Sequence, residues 1–196
     1  MSEAAKLPVY MSLDEFLAWN PGGHETWQLV GGVPVAMAPA STVHGKLLGR
    51  LAQAVENHLD AQNSTCSLVI EPGVVPHLLA SHNYRVPDLA VTCAEIEARQ
   101  PTLTDPVLVA EILSPSNQSE TWDNVLAYAT IPTVQEILVL RSVFVGADVL
   151  RRLPDESWPK QAEQVRAGDL VLDSIGLRTP LMDLYRRTPL WRPPVS

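Results

Sequence analysis

The chain has few lysines, and this shortage excludes one class of nucleic-acid-binding protein. Only three of its 196 residues are lysines (Lys6, Lys46 and Lys160), and the formal net charge is −8 at pH 7. A protein that coats nucleic acid by charge needs many Lys and Arg side chains to release counterions from phosphates. The composition excludes that class, although an acidic enzyme can still act on DNA if it concentrates its basic residues on one face.

Cysteines and long apolar runs are also scarce. Cys66 and Cys93 fit no CxxC spacing, and each lies in an apolar, strand-like segment. This pattern predicts buried free thiols in a reducing compartment. No apolar run approaches the length of a membrane span, and residues 1–7 lack the core of a signal peptide. We therefore expect a cytoplasmic protein with no membrane partner.

What the sequence does contain is typical of one ordinary globular domain. Hydrophobic residues make up 46% and charged residues 18% of the chain, and no repeat or low-complexity linker divides it. We predict a single domain over residues 1–196.

Local patterns predict a mixed β-sheet flanked by helices, with more strands than helices. Apolar residues recur every four positions along a long helix from about 43 to 59, whose N-caps are Ser41 and Thr42. The predicted helices cover 12–19, 43–59, 118–129 and 181–185. The predicted strands cover 27–30, 33–37, 66–70, 86–91, 107–113, 137–140, 143–150, 158–165 and 170–172.

The most informative residue is a glutamate inside an apolar strand. Glu111 is the only charged residue in 107–113, and alternation places it on the same face as Val109 and Leu113. A buried, ionised carboxylate must be paired, protonated or bound to metal. Pairing with an arginine or with backbone amides is an equally good interpretation of the periodicity alone.

A second carboxylate favours the metal interpretation. Asp88 follows Pro87 and begins another apolar strand. Neighbouring strands lie ~4.8 Å apart, and Mg²⁺ binds oxygen at ~2.1 Å, so one ion can bridge carboxylates on adjacent strands. Asp88 alone would be interpreted as a turn residue, whereas the pair predicts a metal site.

These residues carry a resemblance to a known family. Pro87-Asp88 followed 23 residues later by Glu111 resembles the PD…(D/E)xK signature of a nuclease superfamily. The chain is most similar to the Uma-two family of restriction-endonuclease-like proteins, from about residue 11 to about residue 190. The shared segments are 27–32, 37–40 with His44, 86–91, 111–116, Tyr128, 134–139 and 181–185. The resemblance implies an α/β fold with a restriction-endonuclease-like mixed sheet, and Ile112 as a further metal ligand through its carbonyl.

The chain departs from the family's pattern at three polar positions. The signature lysine is replaced by Leu113, as is usual in this branch. The lysine that relatives carry four residues before the tyrosine is Asn124 here, and a glutamate of the first hairpin is Gln28. The metal-binding pair is retained, whereas two of the supporting polar positions have lost their charge.

Other candidate residues are weaker. His44 and Lys46 lie at the start of the long helix, where backbone amides favour an anion, and Lys46 would replace the missing lysine only if that helix end faces the strand ends. Glu71 is a possible third acid, although an ordinary loop carboxylate is the more common case. No histidine spacing predicts a zinc site, and no GxSxG motif predicts a serine hydrolase.

We therefore predict a Mg²⁺- or Mn²⁺-dependent endonuclease acting on DNA. Asp88, Glu111 and the Ile112 carbonyl would hold the metal, and His44, Lys46 or Asn124 would act nearby. A homodimer is possible, because nucleases that cut both strands commonly act as twofold pairs. The alternative is a degenerate nuclease fold that binds nucleic acid or a protein partner without cleavage.

Overall fold

A computed structural model describes residues 10–115 and 118–192 of the chain. Three features of the sequence lie outside these residues: the N-terminal segment 1–7, Ser116 at the end of the shared motif, and the prolines of the tail (Pro193 and Pro194).

Within these described residues, the structure contains one six-stranded mixed sheet, two small hairpins and four α-helices. The helices are α1 (Leu13–Ala18), α2 (Thr42–Ala61), α3 (Gln118–Tyr128) and α4 (Leu181–Leu184), with a 3₁₀ turn at Ala80–His82. The strands are β1 (Trp27–Val30), β2 (Val33–Ala36), β3 (Ser67–Ile70), β4 (Leu89–Thr92), β5 (Pro106–Leu113), β6 (Glu136–Arg141), β7 (Ala147–Arg151), β8 (Glu163–Val165), β9 (Asp169–Leu172) and β10 (Leu177–Pro180).

The large sheet has the strand order β3-β4-β5-β6-β7-β8. Every neighbouring pair is antiparallel except β5 and β6, which run parallel and are joined through α3. The mixed α/β architecture predicted from the sequence is therefore confirmed.

Alternate residues of β5 face two different cores. Leu108, Ala110 and Ile112 pack with the apolar stripe of α2, in which Leu47 and Val55 are fully buried. The residues between them pack with α3. Because both faces of the sheet are covered, its central strands are apolar almost throughout.

The hairpin and the helices were predicted closely. Ser12 caps α1 in a reciprocal arrangement with Glu15, whose side chain accepts a hydrogen bond from the Ser12 amide at 2.7 Å. Gly31 and Gly32 have φ angles of 56° and 86°, which the tight turn between β1 and β2 requires.

Three predicted strands began at least three residues too early, and one strand was missed. The segment 86–91 forms strand only from Leu89, so Asp88 directly precedes β4 and does not begin it. The segment 143–150 begins as a turn and becomes strand only at Ala147, while 158–165 forms strand only from Glu163. The strand β10 pairs with β9 but was not predicted, because its sequence (Leu177, Arg178, Thr179 and Pro180) has a single buried apolar side chain.

The prediction of free thiols was wrong, because Cys66 and Cys93 form a disulfide. Ser67 at the start of β3 pairs with Thr92 at the end of β4, so the two cysteines extend the same ladder by one step and meet. The sequence contains no signal for this pairing, which depends on the strand register. The argument for a reducing compartment, which rested on free thiols, is no longer supported.

Across the described parts of the chain, no helix is both long and apolar enough to cross a membrane.

Candidate active site

Asp88 and Glu111 lie side by side at one end of two neighbouring strands. Leu89 of β4 pairs with Ala110 of β5, so Asp88 is level with Glu111. The Ile112 amide donates a hydrogen bond to Asp88 Oδ2 at 2.6 Å, and both carboxylates are about 5% exposed. The predicted adjacency of these two strands is confirmed.

Glu111 has no cationic partner in the described residues. Its Oε1 accepts hydrogen bonds from the Tyr128 hydroxyl at 2.7 Å and from Asn124 Nδ2 at 3.4 Å. Burial first, and then the negative charge of Asp88, raise the pKa of Glu111 well above its usual value, although both hydrogen bonds oppose this shift. The interpretation of Glu111 as the partner of a buried arginine is therefore not supported.

His44 at the start of α2 holds the other side of Asp88. Its Nε2 lies 2.9 Å from Asp88 Oδ1, and the ring is nearly buried. Burial by itself lowers the pKa of His44, but the hydrogen bond to Asp88 and the charges of Asp88 and Glu71 outweigh it and raise the pKa above its usual value. His44 thus places partial positive charge directly beside one of the two carboxylates.

Helix α3 places two polar side chains over Glu111. Tyr128 is fully buried, and burial followed by the charge of Glu111 raises its pKa well above the usual value, so it remains a hydrogen-bond donor. Asn124 is 4% exposed, and its Oδ1 has no hydrogen-bond partner among the described residues. A buried acceptor without a partner beside two carboxylates indicates room for a donor or a cation.

The structure brings Glu71 to this site but not Lys46. Glu71 lines the same cavity as Asp88 and Glu111, with φ of 49° at the end of β3. Lys46 is exposed and does not line that cavity. His44 and Lys46 are two residues apart, about 200° around the helix, so only His44 can face the strands. Lys46 therefore does not take the position of the missing lysine.

The position of the family's hairpin glutamate is also accounted for. Gln28 is fully buried on β1, and its Nε2 donates to Glu120 of α3 at 3.0 Å. Its Oε1 accepts from the Val86 amide at 3.2 Å. A glutamate here would face Glu120 with a second negative charge, whereas the amide joins β1 to α3 without one.

The site opens into a cavity of about 800 Å³, a size typical of small-molecule and substrate pockets. Among the described residues that line it there is no Lys or Arg, so the cavity lining does not supply the concentration of basic residues on one face that an acidic DNA-acting enzyme needs. Its acidic residues are Glu25, Glu71, Asp88, Glu111 and Glu120. The cavity therefore favours cations and would repel a phosphate unless a cation is bound.

The donor set fits a hard divalent cation. Burial, and after it the negative charge of Asp88, raises the pKa of Glu111, so the two carboxylates are stabilised when a cation binds between them, and Mg²⁺ and Mn²⁺ prefer oxygen ligands. Within residues 10–115 and 118–192, no three His, Cys, Asp or Glu side chains converge closely enough to hold an ion by themselves. The fit thus depends on Asp88 and Glu111 together with a backbone oxygen such as the Ile112 carbonyl.

The mixed sheet, with an acidic pair where β4 and β5 meet, defines a protein of the restriction-endonuclease-like class. The chain belongs to the Uma2 family, described as "Putative restriction endonuclease", whose model matches residues 13–177. A solved structure from Anabaena variabilis, described as a putative nuclease of the DUF820 family, is similar with a TM-score of 0.71 and 19% sequence identity over 89% of this chain and 97% of that chain. At this identity the likeness shows the fold alone. No curated protein matches the chain significantly.

Sequence reasoning did not assign roles to three residues of this site. Tyr128 was noted only as part of a shared motif, and its position 17 residues after Glu111 gives no direct sign of contact. Glu120 gave no signal apart from its place in the first turn of α3. Glu71 was recognised as an acid but judged an ordinary loop residue. The positions of all three depend on how α3 packs against β5 and on how β3 pairs with β4.

Proposed function

We propose that the chain is a Mg²⁺- or Mn²⁺-dependent endonuclease that hydrolyses DNA phosphodiester bonds, with the whole chain acting as one domain. The observation that carries the proposal is the buried pair of Asp88 and Glu111, joined through the Ile112 amide and open to an acidic cavity. Burial of Glu111 beside Asp88 is unfavourable in the absence of a cation, because Glu111 has hydrogen-bond donors but no cationic partner among the described residues, and this makes a purely structural role a poor explanation.

Asp88, Glu111 and the Ile112 carbonyl are the proposed metal ligands. When bound, the ion would polarise a phosphoryl oxygen and lower the pKa of a water molecule. His44 holds Asp88 Oδ1 in position from the side of α2. Tyr128 and Asn124 hold Glu111 from the side of α3. Asn124 also offers an uncharged polar group where relatives carry lysine, so we expect slow turnover.

A cleavage assay with matched variants tests this function. The purified chain is incubated with supercoiled plasmid and with labelled oligonucleotides in Mn²⁺, Mg²⁺ or Ca²⁺. We expect nicking or linearisation in Mn²⁺ that is lost in both Asp88→Asn and Glu111→Gln. Asp60→Asn, at an exposed position near the end of α2, is the control. Cleavage that persists in both site variants would come from a contaminant and would contradict the proposal.

A second candidate is a nuclease fold that binds without cutting. It is favoured by the absence of Lys and Arg from the described lining of the cavity and by Leu113 and Asn124 at positions where a cation would stabilise developing charge. Metal binding measured by calorimetry, together with no turnover on any DNA form, would support this candidate.

Cutting both strands of a duplex would call for two copies related by a twofold axis, and we propose such a homodimer for the endonuclease. Light scattering with and without duplex DNA measures the mass directly. We also propose a cytoplasmic location. Fractionation of cells expressing the chain tests it.

A further inference from the structure

The turn between β6 and β7 exposes an aromatic side chain at the edge of the acidic cavity. Ser142 and Val143 line the cavity, and Val143 and Phe144 are 50% and 43% exposed. Ser142 is fixed to the end of β5, because its amide and its hydroxyl both donate to the Leu113 carbonyl, at 3.0 and 2.9 Å. The turn is therefore a rigid part of the cavity's edge.

Two arginines and two aromatic rings alternate beside this turn. The guanidinium carbon of Arg141 lies 5.9 Å from the ring centre of Trp122 and 5.8 Å from that of Phe144. Arg166 lies 5.4 Å from the ring centre of Phe144. These distances are within the reach of cation–π attraction. We name Trp122, Arg141, Phe144 and Arg166 the arginine–aromatic rim.

A single buried carboxylate fixes both arginines. Asp148 on β7 is 1% exposed, and its Oδ2 accepts from Arg141 Nε at 2.8 Å and also from Arg141 Nη2. Its Oδ1 accepts from Arg166 Nη2 at 2.8 Å. Two guanidinium groups against one carboxylate leave a net charge of about +1 on the rim, held in a fixed orientation.

The rim lies on the same side of the sheet as Glu111. Glu111 pairs with Val139 and Leu113 with Arg141 in the parallel ladder of β5 and β6. Arg141 is therefore one strand across and two residues along from Glu111, about 8 Å away by strand geometry, with its side chain on the same face. A nucleic-acid strand bound at the rim would reach the two carboxylates within a few nucleotides.

We propose that the arginine–aromatic rim binds single-stranded DNA, with a base stacked on Phe144 and a neighbouring phosphate on Arg166 and Arg141. The inference rests on the proposed nuclease function and specifies the form of its substrate. The rim supplies the positive charge that the described cavity lining lacks. The exposed ring of Phe144 would stack on the face of a base. Within a duplex these faces are covered by neighbouring base pairs, so the ring favours a single strand.

Binding without cleavage provides the first test. Fluorescence anisotropy is measured with a labelled single strand and with the duplex of the same sequence, in EDTA and in Ca²⁺, so that the acidic cavity is tested without and with a cation and in the absence of Mg²⁺ and Mn²⁺. We expect tighter binding of the single strand, weakened about fivefold or more by Phe144→Ala and restored by Phe144→Trp. Ile96→Ala removes an apolar side chain of similar exposure (45%) that does not line the cavity, and it should leave binding unchanged.

The salt dependence of binding provides the second test. Arg166→Gln should reduce the slope of log affinity against log salt by about 0.7, the value for one phosphate contact with a single strand. Arg178→Gln is the control, because Arg178 is likewise an exposed arginine paired with one aspartate. Arg166 is chosen over Arg141 because Arg141 is more deeply buried and donates two of the three arginine hydrogen bonds to Asp148, so its loss would destabilise the fold more.

Three outcomes would overturn the inference: no binding of the single strand by the parent, equal loss of single-strand and duplex binding in Phe144→Ala, or an unchanged salt slope in Arg166→Gln. Its failure differs from that of the nuclease proposal. Cleavage in Mn²⁺ together with single-strand binding that is unchanged in Phe144→Ala would contradict the proposed role of the rim and support the nuclease proposal. Single-strand binding that is weakened in Phe144→Ala, without any cleavage by the parent, would support the proposed role of the rim and contradict the nuclease proposal.

Discussion

Asp88 Oδ2 accepts a hydrogen bond from the Ile112 amide at 2.6 Å, across a sequence separation of 24 residues. Because Ile112 follows Glu111 directly, this bond fixes Asp88 relative to the backbone that carries the second carboxylate. His44 occupies the other oxygen of Asp88 at 2.9 Å. The two acids are therefore held close by the fold itself, and their mutual repulsion lowers the free energy of unfolding when both are ionised.

Glu111→Gln is expected to fold and to be at least as stable as the metal-free parent at neutral pH. The carbonyl of the substituted side chain can still accept from Tyr128, and the amide removes the negative charge beside Asp88. Urea denaturation in EDTA measures the change in the free energy of unfolding. A loss of about 3 kcal/mol or more would indicate that the ionised carboxylate is required by the fold, against the metal-site interpretation.

The pH dependence of stability should also differ between parent and Glu111→Gln. The pKa of Glu111 is raised in the folded state, so the folded chain binds more protons than the unfolded chain. The parent should therefore lose stability relative to the variant as pH rises from about 4.5, the ordinary glutamate value, up to the raised pKa. Parallel urea titrations at several pH values check this. A difference independent of pH would contradict the raised pKa.

Mn²⁺ should raise the melting temperature of the parent, because the unfolded chain lacks the assembled site. At a metal concentration of about 100 times Kd the stabilisation should be about 2.7 kcal/mol. Differential scanning calorimetry measures it, with Asp88→Asn expected to abolish the shift and Asp60→Asn to retain it. An equal shift in Asp88→Asn would assign the ion to another part of the molecule.

Asn124→Lys tests whether the missing cation limits turnover. The ammonium would lie beside Glu111, lower its pKa and stabilise negative charge developing nearby, so cleavage in Mn²⁺ should rise on the order of tenfold or more. Asn124→Met is the control, because methionine is similar to lysine in length but has no charge, and it should not increase the cleavage rate. Equal cleavage rates in the two variants would show that the lack of a cation at position 124 does not limit turnover.

Neutralising Asp148 should be far more costly than neutralising Asp169. Asp148→Asn would leave Arg141 and Arg166 without their shared carboxylate, at a cost of about 3–5 kcal/mol. Asp169 pairs with Arg178 at the surface, so Asp169→Asn should change stability by about 1 kcal/mol or less. Chemical denaturation of both variants makes the comparison, and similar losses would contradict the anchoring role of Asp148.

Reduction of the Cys66–Cys93 disulfide should destabilise the protein. The bond closes a loop with a sequence separation of 27, for which loop entropy predicts roughly 2–4 kcal/mol. Denaturation with and without a reducing agent measures the effect, and Cys66→Ser combined with Cys93→Ser is the control that no longer responds. Alkylation of two thiols in the native, unreduced protein would contradict the disulfide.

The sequence predicted what depends on local pattern and missed what depends on register and rotation. The apolar runs around Asp88 and Glu111 were enough to predict two adjacent interior strands. They could not predict that Cys66 lies opposite Cys93, which requires knowing the ladder residue by residue. Likewise, His44 and Lys46 were equal candidates in the sequence, and only the rotation of α2 separates them.

The turn at residues 142–146 illustrates a second limit. Val143 and Phe144 are apolar, so their segment was predicted as strand, yet they are exposed beside the cavity. Apolar residues usually indicate burial, and a single sequence does not distinguish a core strand from an exposed apolar turn. The arginine–aromatic rim was therefore invisible until β6 and β7 had been placed.

The hydroxyl that holds Glu111 belongs to Tyr128, which lies 17 residues further along the chain at the end of α3. During synthesis, the ribosome must therefore release Tyr128 before Glu111 can be held in this way, long after His44 and Asp88 have emerged. A nascent chain thus carries both Asp88 and Glu111 before Glu111 has its hydrogen bond from Tyr128. The order of the elements delays completion of the site until the crossover from β5 to β6 has begun to fold.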